Sequence, residues 1–301
     1  MDLFKTFCVT FIAILITSCG KTKNLKTVEG QMLKKGKVSK TSLIVYVSHL
    51  EEDLEIFVMN VDGSNSNRLT TNTAEDMYPS WSHDGTMIAF LSDRDGDMGV
   101  YTMNADGTNQ RLIKAHSSAI PAWSFDDKRL LITDDNDLGS KIITIDLITK
   151  EERLVNSGSQ SDGFGKWVAS GMAIVFESRR DGNGEVYRVN AMDGSNLIRL
   201  TENPNLDEWL SWSQDGKKIA YTTGLEGDKD IWIMDADGSN KQILTKDISI
   251  GDSFPSWSPD NNKIVFTTFT DNVAPEILVI DIAQNAVEKI SDGSGPSWSP
   301  F

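Results

Sequence analysis

From residue 43 onward, short apolar runs alternate with stretches of Asp, Gly and Asn. Met87-Ile-Ala-Phe90, Leu130-Leu-Ile132, Ala173-Ile-Val-Phe176, Ile219-Ala-Tyr221 and Ile264-Val-Phe266 are too short for a packed helix, and their β-branched and aromatic content predicts buried strands. Alternating runs follow at Val100-Tyr-Thr-Met103, Val186-Tyr-Arg-Val189 and Ile231-Trp-Ile-Met234. Shorter ones come at Arg68-Leu-Thr70, Arg199-Leu-Thr201 and Ile243-Leu-Thr245. Asp62-Gly63, Asp106-Gly107, Asp193-Gly194 and Asp237-Gly238 fall between the third and fourth runs, where they supply the positive φ expected at the centre of tight hairpins. No stretch between residues 42 and 301 keeps a helical period.

A tryptophan phrase precedes most of these runs: Pro79-Ser-Trp81-Ser-His-Asp-Gly, Pro121-Ala-Trp123-Ser-Phe-Asp-Asp, Gly165-Lys-Trp167-Val-Ala-Ser-Gly, Leu210-Ser-Trp212-Ser-Gln-Asp-Gly, Pro255-Ser-Trp257-Ser-Pro-Asp-Asn and Pro296-Ser-Trp298-Ser-Pro-Phe301. The steps from Trp to Trp are 42, 44, 45, 45 and 41 residues, the period of an array of one supersecondary unit. Counting the Trp phrase as a strand gives four per unit, the blade of a β-propeller. Leu43 to Thr70 supplies three strands without a Trp phrase, and Pro296 to Ser299 a Trp phrase with no strand after it. The expectation is therefore an all-β, six-bladed propeller of four-stranded antiparallel blades over residues 42–301. N- and C-terminal strands would close it within one blade, removing the exposed sheet edge.

These residues resemble the TolB-type propeller repeat: Pro-x-Trp-Ser-x-Asp-Gly, an Ile-Ala-Phe strand, Ser-x-Arg-Asp-Gly, a Tyr-x-Met strand, Asp-Gly-Ser-Asn and Arg-Leu-Thr. Residues 79–112 match most closely, with Ser92-Asp-Arg94-Asp95-Gly96 and Asp106-Gly-Thr-Asn109. Residues 165–176 match least, having lost the Ser and Asp after the Trp. The resemblance implies a non-catalytic propeller that binds a protein or peptide in the bacterial envelope. TolB carries an α/β domain ahead of its propeller, whereas only a short tether precedes the first strand here. Similar propellers also form oligogalacturonate lyases, so the alternative is a carbohydrate-active protein, either a lyase-like enzyme or a glycan binder.

Lys5, an apolar run from Thr6 to Ile16 and Ile16-Thr17-Ser18-Cys19-Gly20 read as a lipoprotein signal over residues 1–18, because the run is too short to span a bilayer. Cys19 is then the lipidated first residue of the mature chain. Cys8 leaves with the signal, so no thiol remains for a disulfide, zinc site or nucleophile. Residues 19–41 form a lipidated, Lys-rich tether, and Gly20 favours an outer-membrane destination facing the periplasm. The whole chain carries −15; residues 1–19 are neutral and residues 20–41 carry +6, leaving −21 on residues 42–301. Such a propeller repels nucleic acid and is expected to be monomeric.

No Gly-x-Ser-x-Gly elbow is present, and His49, His83 and His116 sit on three different repeats, so no enzyme activity is expected. Asp93-Arg-Asp95-Gly-Asp97 and Asp134-Asp-Asn-Asp137 space carboxylates as a Ca2+ loop does. The twelfth position of the first is Asn104 rather than Glu, and both read better as solvated hairpin loops, so no cofactor is expected. Aligned on the Trp, Asp76, Asp162, Asp207 and Asp252 recur five residues before it, and Tyr78, Phe164, Trp209 and Phe254 three before it. Around a channel mouth they would form an acidic and an aromatic ring suited to a partner with basic residues. As residues common to the repeats, they equally suit a scaffold role in turn and blade packing. Departures from the repeat, Glu75, His116, Lys166, Glu208 and Trp209, are where function is expected. The expected partner-binding set is Asp76, Tyr78, His116, Asp162, Phe164, Asp207, Glu208, Trp209, Asp252 and Phe254.

Overall fold

The computed structural model describes residues 41–49, 53–136, 139–155, 161–168, 170–225, 227–246, 251–270 and 273–301. The signal peptide, Cys19 and all of the tether but Thr41 lie outside the described residues. Every regular element among the described residues is a strand, and there are 24.

Six strands end in the repeated Trp: Asp76–Trp81, Ala122–Trp123, Asp162–Trp167, Leu206–Trp212 and Ser294–Trp298 at sheet edges, and Gly251–Trp257 inside the largest sheet. Each touches the next in this order, and Ser294–Trp298 touches Asp76–Trp81, so they line a closed ring. Outward from Asp76–Trp81 the sheet continues through Met87–Ser92, Gly99–Asn104 and Arg111–Ala115, and three other sheets repeat this four-strand plan. The remaining eight strands form one sheet, because a single parallel pair, Lys229 with Gly251, joins two four-stranded sets. The expectation of six separate blades is corrected to that extent: four four-stranded sheets stand alone. A one-residue bridge between neighbouring edges leaves no trace in a hydrophobic pattern.

Closure joins the two ends of the propeller. Ile44 pairs with Trp298 and Val45 with Ser297. Leu43 N–H donates to Ser299 Oγ at 2.8 Å, Ser299 N–H returns a bond to Leu43 O at 2.8 Å, and the Trp298 indole donates to Ser42 Oγ at 2.7 Å.

The repeated polar residues build the turns. After Trp81, Ser82 Oγ accepts from Met87 N–H at 2.9 Å and donates to Asp84 Oδ1 at 2.8 Å. The same Ser–Asp pair recurs at Ser124/Asp126, Ser213/Asp215 and Ser258/Asp260. In the outer turns the Asp keeps an ordinary φ, while its Gly and the Asn two residues after that Gly (Asn65, Asn109, Asn196, Asn240) are left-handed. Asp106 Oδ1 caps Thr108 N–H at 3.0 Å, and Gly107 has φ 82° with Leu69 O where a Cβ would stand. The apolar faces meet between sheets: Val45, Ile56 and Val58 pack on Trp81, Ile88, Phe90 and Tyr101 from the next sheet. Two of the repeated Trp residues also bond across such a junction: the Trp123 indole donates to Ser80 O at 3.1 Å and that of Trp257 to Ser211 O at 3.2 Å, each on the preceding ring strand.

Candidate functional site

Five ring strands carry the same β-bulge; in Ser294–Trp298 it sets Gly295, left-handed at φ 56°, and Pro296 against Tyr46, and in the other four it holds an aromatic residue. Two residues oppose one on the neighbouring strand between Met77 and Ser80, Gly163 and Lys166, Glu208 and Ser211, and Ser253 and Ser256. The first extra residue is the aromatic one, left-handed in every case: Tyr78 at φ 53°, Phe164 at 54°, Trp209 at 56° and Phe254 at 57°. This backbone costs an L-residue about 1–2 kcal/mol. It turns the side chains toward one another. Trp209 lies 4.2 Å from Phe254, 4.8 Å from Phe164 and 5.7 Å from Tyr78 between ring centroids, and Tyr78 lies 5.6 Å from Phe254. The four aromatics from four ring strands thus form one layer across the ring, with Tyr78 and Phe164 buried and Trp209 and Phe254 partly exposed.

The acidic residues do not line a mouth. Asp76, Asp162, Asp207 and Asp252 are all 0% exposed. Asp76 receives Arg94 Nη2 at 2.9 Å on both oxygens, and Asp162 receives Arg180 in the same way. Arg94 also donates to Ser92 Oγ and lies over Tyr101, whose hydroxyl donates to Asp95; Arg180 repeats this with Ser178, Tyr187 and Asp181. Asp252 accepts from Thr268 Oγ1 at 2.7 Å and Asp207 from Asn203 Nδ2 at 2.8 Å. The expected acidic ring is therefore corrected to four internal anchors, since carboxylates without exposure cannot touch a docked partner.

Asp207 has no arginine, and burial pushes its carboxyl up to about 6. Its ordinary value is 3.8, so between pH 3.8 and 6 the unfolded chain holds fewer protons there than the folded one. Stability then falls as pH rises through that window and stays lower above it. Asp207→Asn should remove about 1–3 kcal/mol of this fall. Urea midpoints at pH 4 and 7.5 test this: the variant should gain on the wild type only at the higher pH, and an equal difference at both would refute the assignment.

Glu208 is also buried and pairs with Lys229. Glu177, close by, is pushed well above the usual carboxylate range by burial and by the Glu208 charge, against the pull of Arg179. Glu208 is thus spent on an internal ion network rather than offered to a partner.

The ring strands begin at one face, here the upper face, and end at the other, the lower face. His116 is exposed on an upper-face loop, with Nδ1 at 3.7 Å from Asp97 Oδ2. His49 is beside the start of a ring strand on the same face, bonding Ser294 Oγ at 2.6 Å, whereas His83 meets Asp127 at 3.2 Å on the lower face, so the three do not converge. In the two Asp-rich loops, Asp93 accepts Glu75 N–H at 2.9 Å, Asp95 is taken by Tyr101, and Asp135 accepts the Ser140 hydroxyl at 2.6 Å. Among the described residues no three His, Cys, Asp or Glu side chains group as metal ligands. No described helix is long and apolar enough to cross a membrane.

A cavity of about 180 Å3 opens below the aromatic layer, toward His83 and Gln214. Its wall includes Lys166, which departs from the repeat.

Known proteins share this architecture. TolB from Acinetobacter baumannii superimposes with a TM-score of 0.78 at 24% identity, over 86% of this chain and 67% of that one. A TolB of Agrobacterium tumefaciens gives 0.68 at 19%, over 85% and 91%. An oligogalacturonate lyase of Vibrio parahaemolyticus gives 0.55 at 13%, over 82% and 74%. At these identities the likeness is one of fold. A comparison with curated protein sequences gives no match. The TolB beta propeller domain family matches residues 20–163 and 113–301, and with the Trp-phrase strands closing the ring this chain belongs to that family.

Proposed function

We propose that the chain is a non-catalytic, lipid-anchored β-propeller of the bacterial envelope that docks a basic protein or peptide on its upper face. Residues 1–18 direct export, Cys19 carries the lipid, and residues 19–41 tether the ring to the outer membrane, facing the periplasm. The eight-stranded sheet counts as two blades, so the ring has six. Family membership supports the envelope protein-binding role, and the sequence Ile16-Thr-Ser-Cys19 supports the anchor.

The observation that carries the docking surface is the set of carboxylates on the upper face. Asp97 is 69% and Glu202 84% exposed at the side chain, and Asp95 and Asp181 are exposed beside them. Glu75 sits with Asp93 and Asp53, whose charges add to burial in raising its carboxyl. Gathered on loops of one face, such charges attract cations and are screened by salt.

A photo-crosslinking residue replacing His116 in the full chain tests this in intact cells. It should yield a membrane-associated adduct that Asp97→Asn with Glu202→Gln reduces, while the same residue at exposed Ile148 yields none. Equal adducts from both positions would place docking elsewhere, and a soluble adduct with Cys19 intact would remove the anchor.

A further inference from the structure

The residue before each Trp points the repeat at the lower channel: Ser80, Ala122, Lys166, Ser211, Ser256 and Ser297 all line the cavity. Five are small, and the sixth is a lysine. Among the described residues the lining holds no carboxylate, in a chain with 44 acidic residues. Lys166 makes no ion pair or hydrogen bond among the described residues, and burial alone holds its ammonium down to about 8. The hydroxyls of Ser211 and Ser297 are unengaged in the same sense. Those of Ser80 and Ser256 are committed, to Pro121 O at 2.7 Å and from Trp298 N–H at 3.0 Å. One cation and two hydroxyls thus share a cavity whose apolar walls include Trp209, Leu210, Phe254, Pro255 and Pro296, with His83 and Gln214 also on its lining.

Lys166 is partly exposed to this cavity, and an ammonium set among apolar walls without a counter-charge is unfavourable, which an anion relieves. One positive charge suits a monoanion, whereas a phosphate dianion would bring a second negative charge into an acidic molecule. A cavity of about 150 Å3 accepts benzene, so the size here suits a ring or short branched chain.

We propose that this cavity binds a monocarboxylate with a compact apolar body, the carboxylate on Lys166 Nζ with Ser211 and Ser297 as further donors, and the body against Trp209 and Phe254. The carboxylate could belong to a free acid or to a polypeptide C-terminus. No bond is made or broken. The site lies on the opposite face from the proposed docking surface, so either reading can fail without the other.

Calorimetric titration of the full chain with benzoate tests the site. Binding at pH 6.5 should weaken about tenfold or more in Lys166→Met, survive in Lys166→Arg, and be absent for benzamide. It should weaken as pH passes about 8, where the ammonium is lost. His83 and Tyr78 are the other titratable lining groups, and His83→Gln should leave this pH dependence intact. Lys166→Met should melt no lower than wild type without ligand, which separates lost binding from lost folding. An acetylated dipeptide with a free C-terminus, set against its amide, distinguishes the sources: tighter binding than benzoate assigns the site to chain ends, weaker binding to free acids. No heat from benzoate, or equal binding by Lys166→Met or by benzamide, would overturn the proposal.

Discussion

Deleting residues 296–301 should lower the melting temperature by roughly 10 °C or more and drive aggregation. Loss of a buried Trp costs about 3–5 kcal/mol, and the strand it anchors adds ladder bonds to that. Trp298 is 8% exposed and packs with Ile44, Tyr46, Val265 and Val279, so its removal opens a junction between two sheets as well as one strand. The deletion also bares the edge of Leu43–Ser48, which would pair with other chains. Removing Pro300 and Phe301 alone should cost far less, because the pairs at Ile44 and Val45 and the Ser299 bonds remain. Calorimetry with light scattering on both truncations decides it. Equal melting of the longer truncation and the intact chain would mean that the ring does not depend on this closure.

Arg180→Met should destabilise the propeller by about 3–5 kcal/mol, the cost of stranding a buried carboxylate. Asp162 would keep its charge with neither oxygen paired to arginine, and Ser178 and Tyr187 would lose their contacts with the guanidinium. Arg180→Lys should recover only part, since an ammonium cannot span the same partners in one plane. Changing both members, Asp162→Leu with Arg180→Met, should restore much of the loss because the charge is gone. Guanidinium unfolding of the set measures this. A double variant no more stable than Arg180→Met would show that the loss is steric rather than electrostatic.

The fold was legible because blade strands obey a short period and Asp-Gly turns mark their ends. The closing strand was legible because a Trp phrase without a sheet at one end answers a sheet without a Trp phrase at the other. The site was legible only in part. The aromatic positions were found, but a left-handed aromatic at a bulge runs against backbone preference, so nothing in residue type announced that the rings would meet. Residue type alone makes the recurring aspartates equally fit for an exposed ring and for a structural role. The clue lay in spacing, since Arg94 and Arg180 each stand eighteen residues after Asp76 and Asp162, while the repeats of Asp207 and Asp252 have no such arginine. Lys166 stood out as a departure, but its isolation depends on what the neighbouring strands omit, and that is a property of the assembled ring.

Closure also fixes an order of events during synthesis. The partner of Ile44 is Trp298, made last of all the ring's pairing strands, so the N-terminal sheet waits with an open edge for nearly the whole of translation. A ring that cannot shut until its final strand emerges remains threadable while it is being made. Under the export route proposed above, such a delay would favour a polypeptide that crosses a membrane before its ring closes.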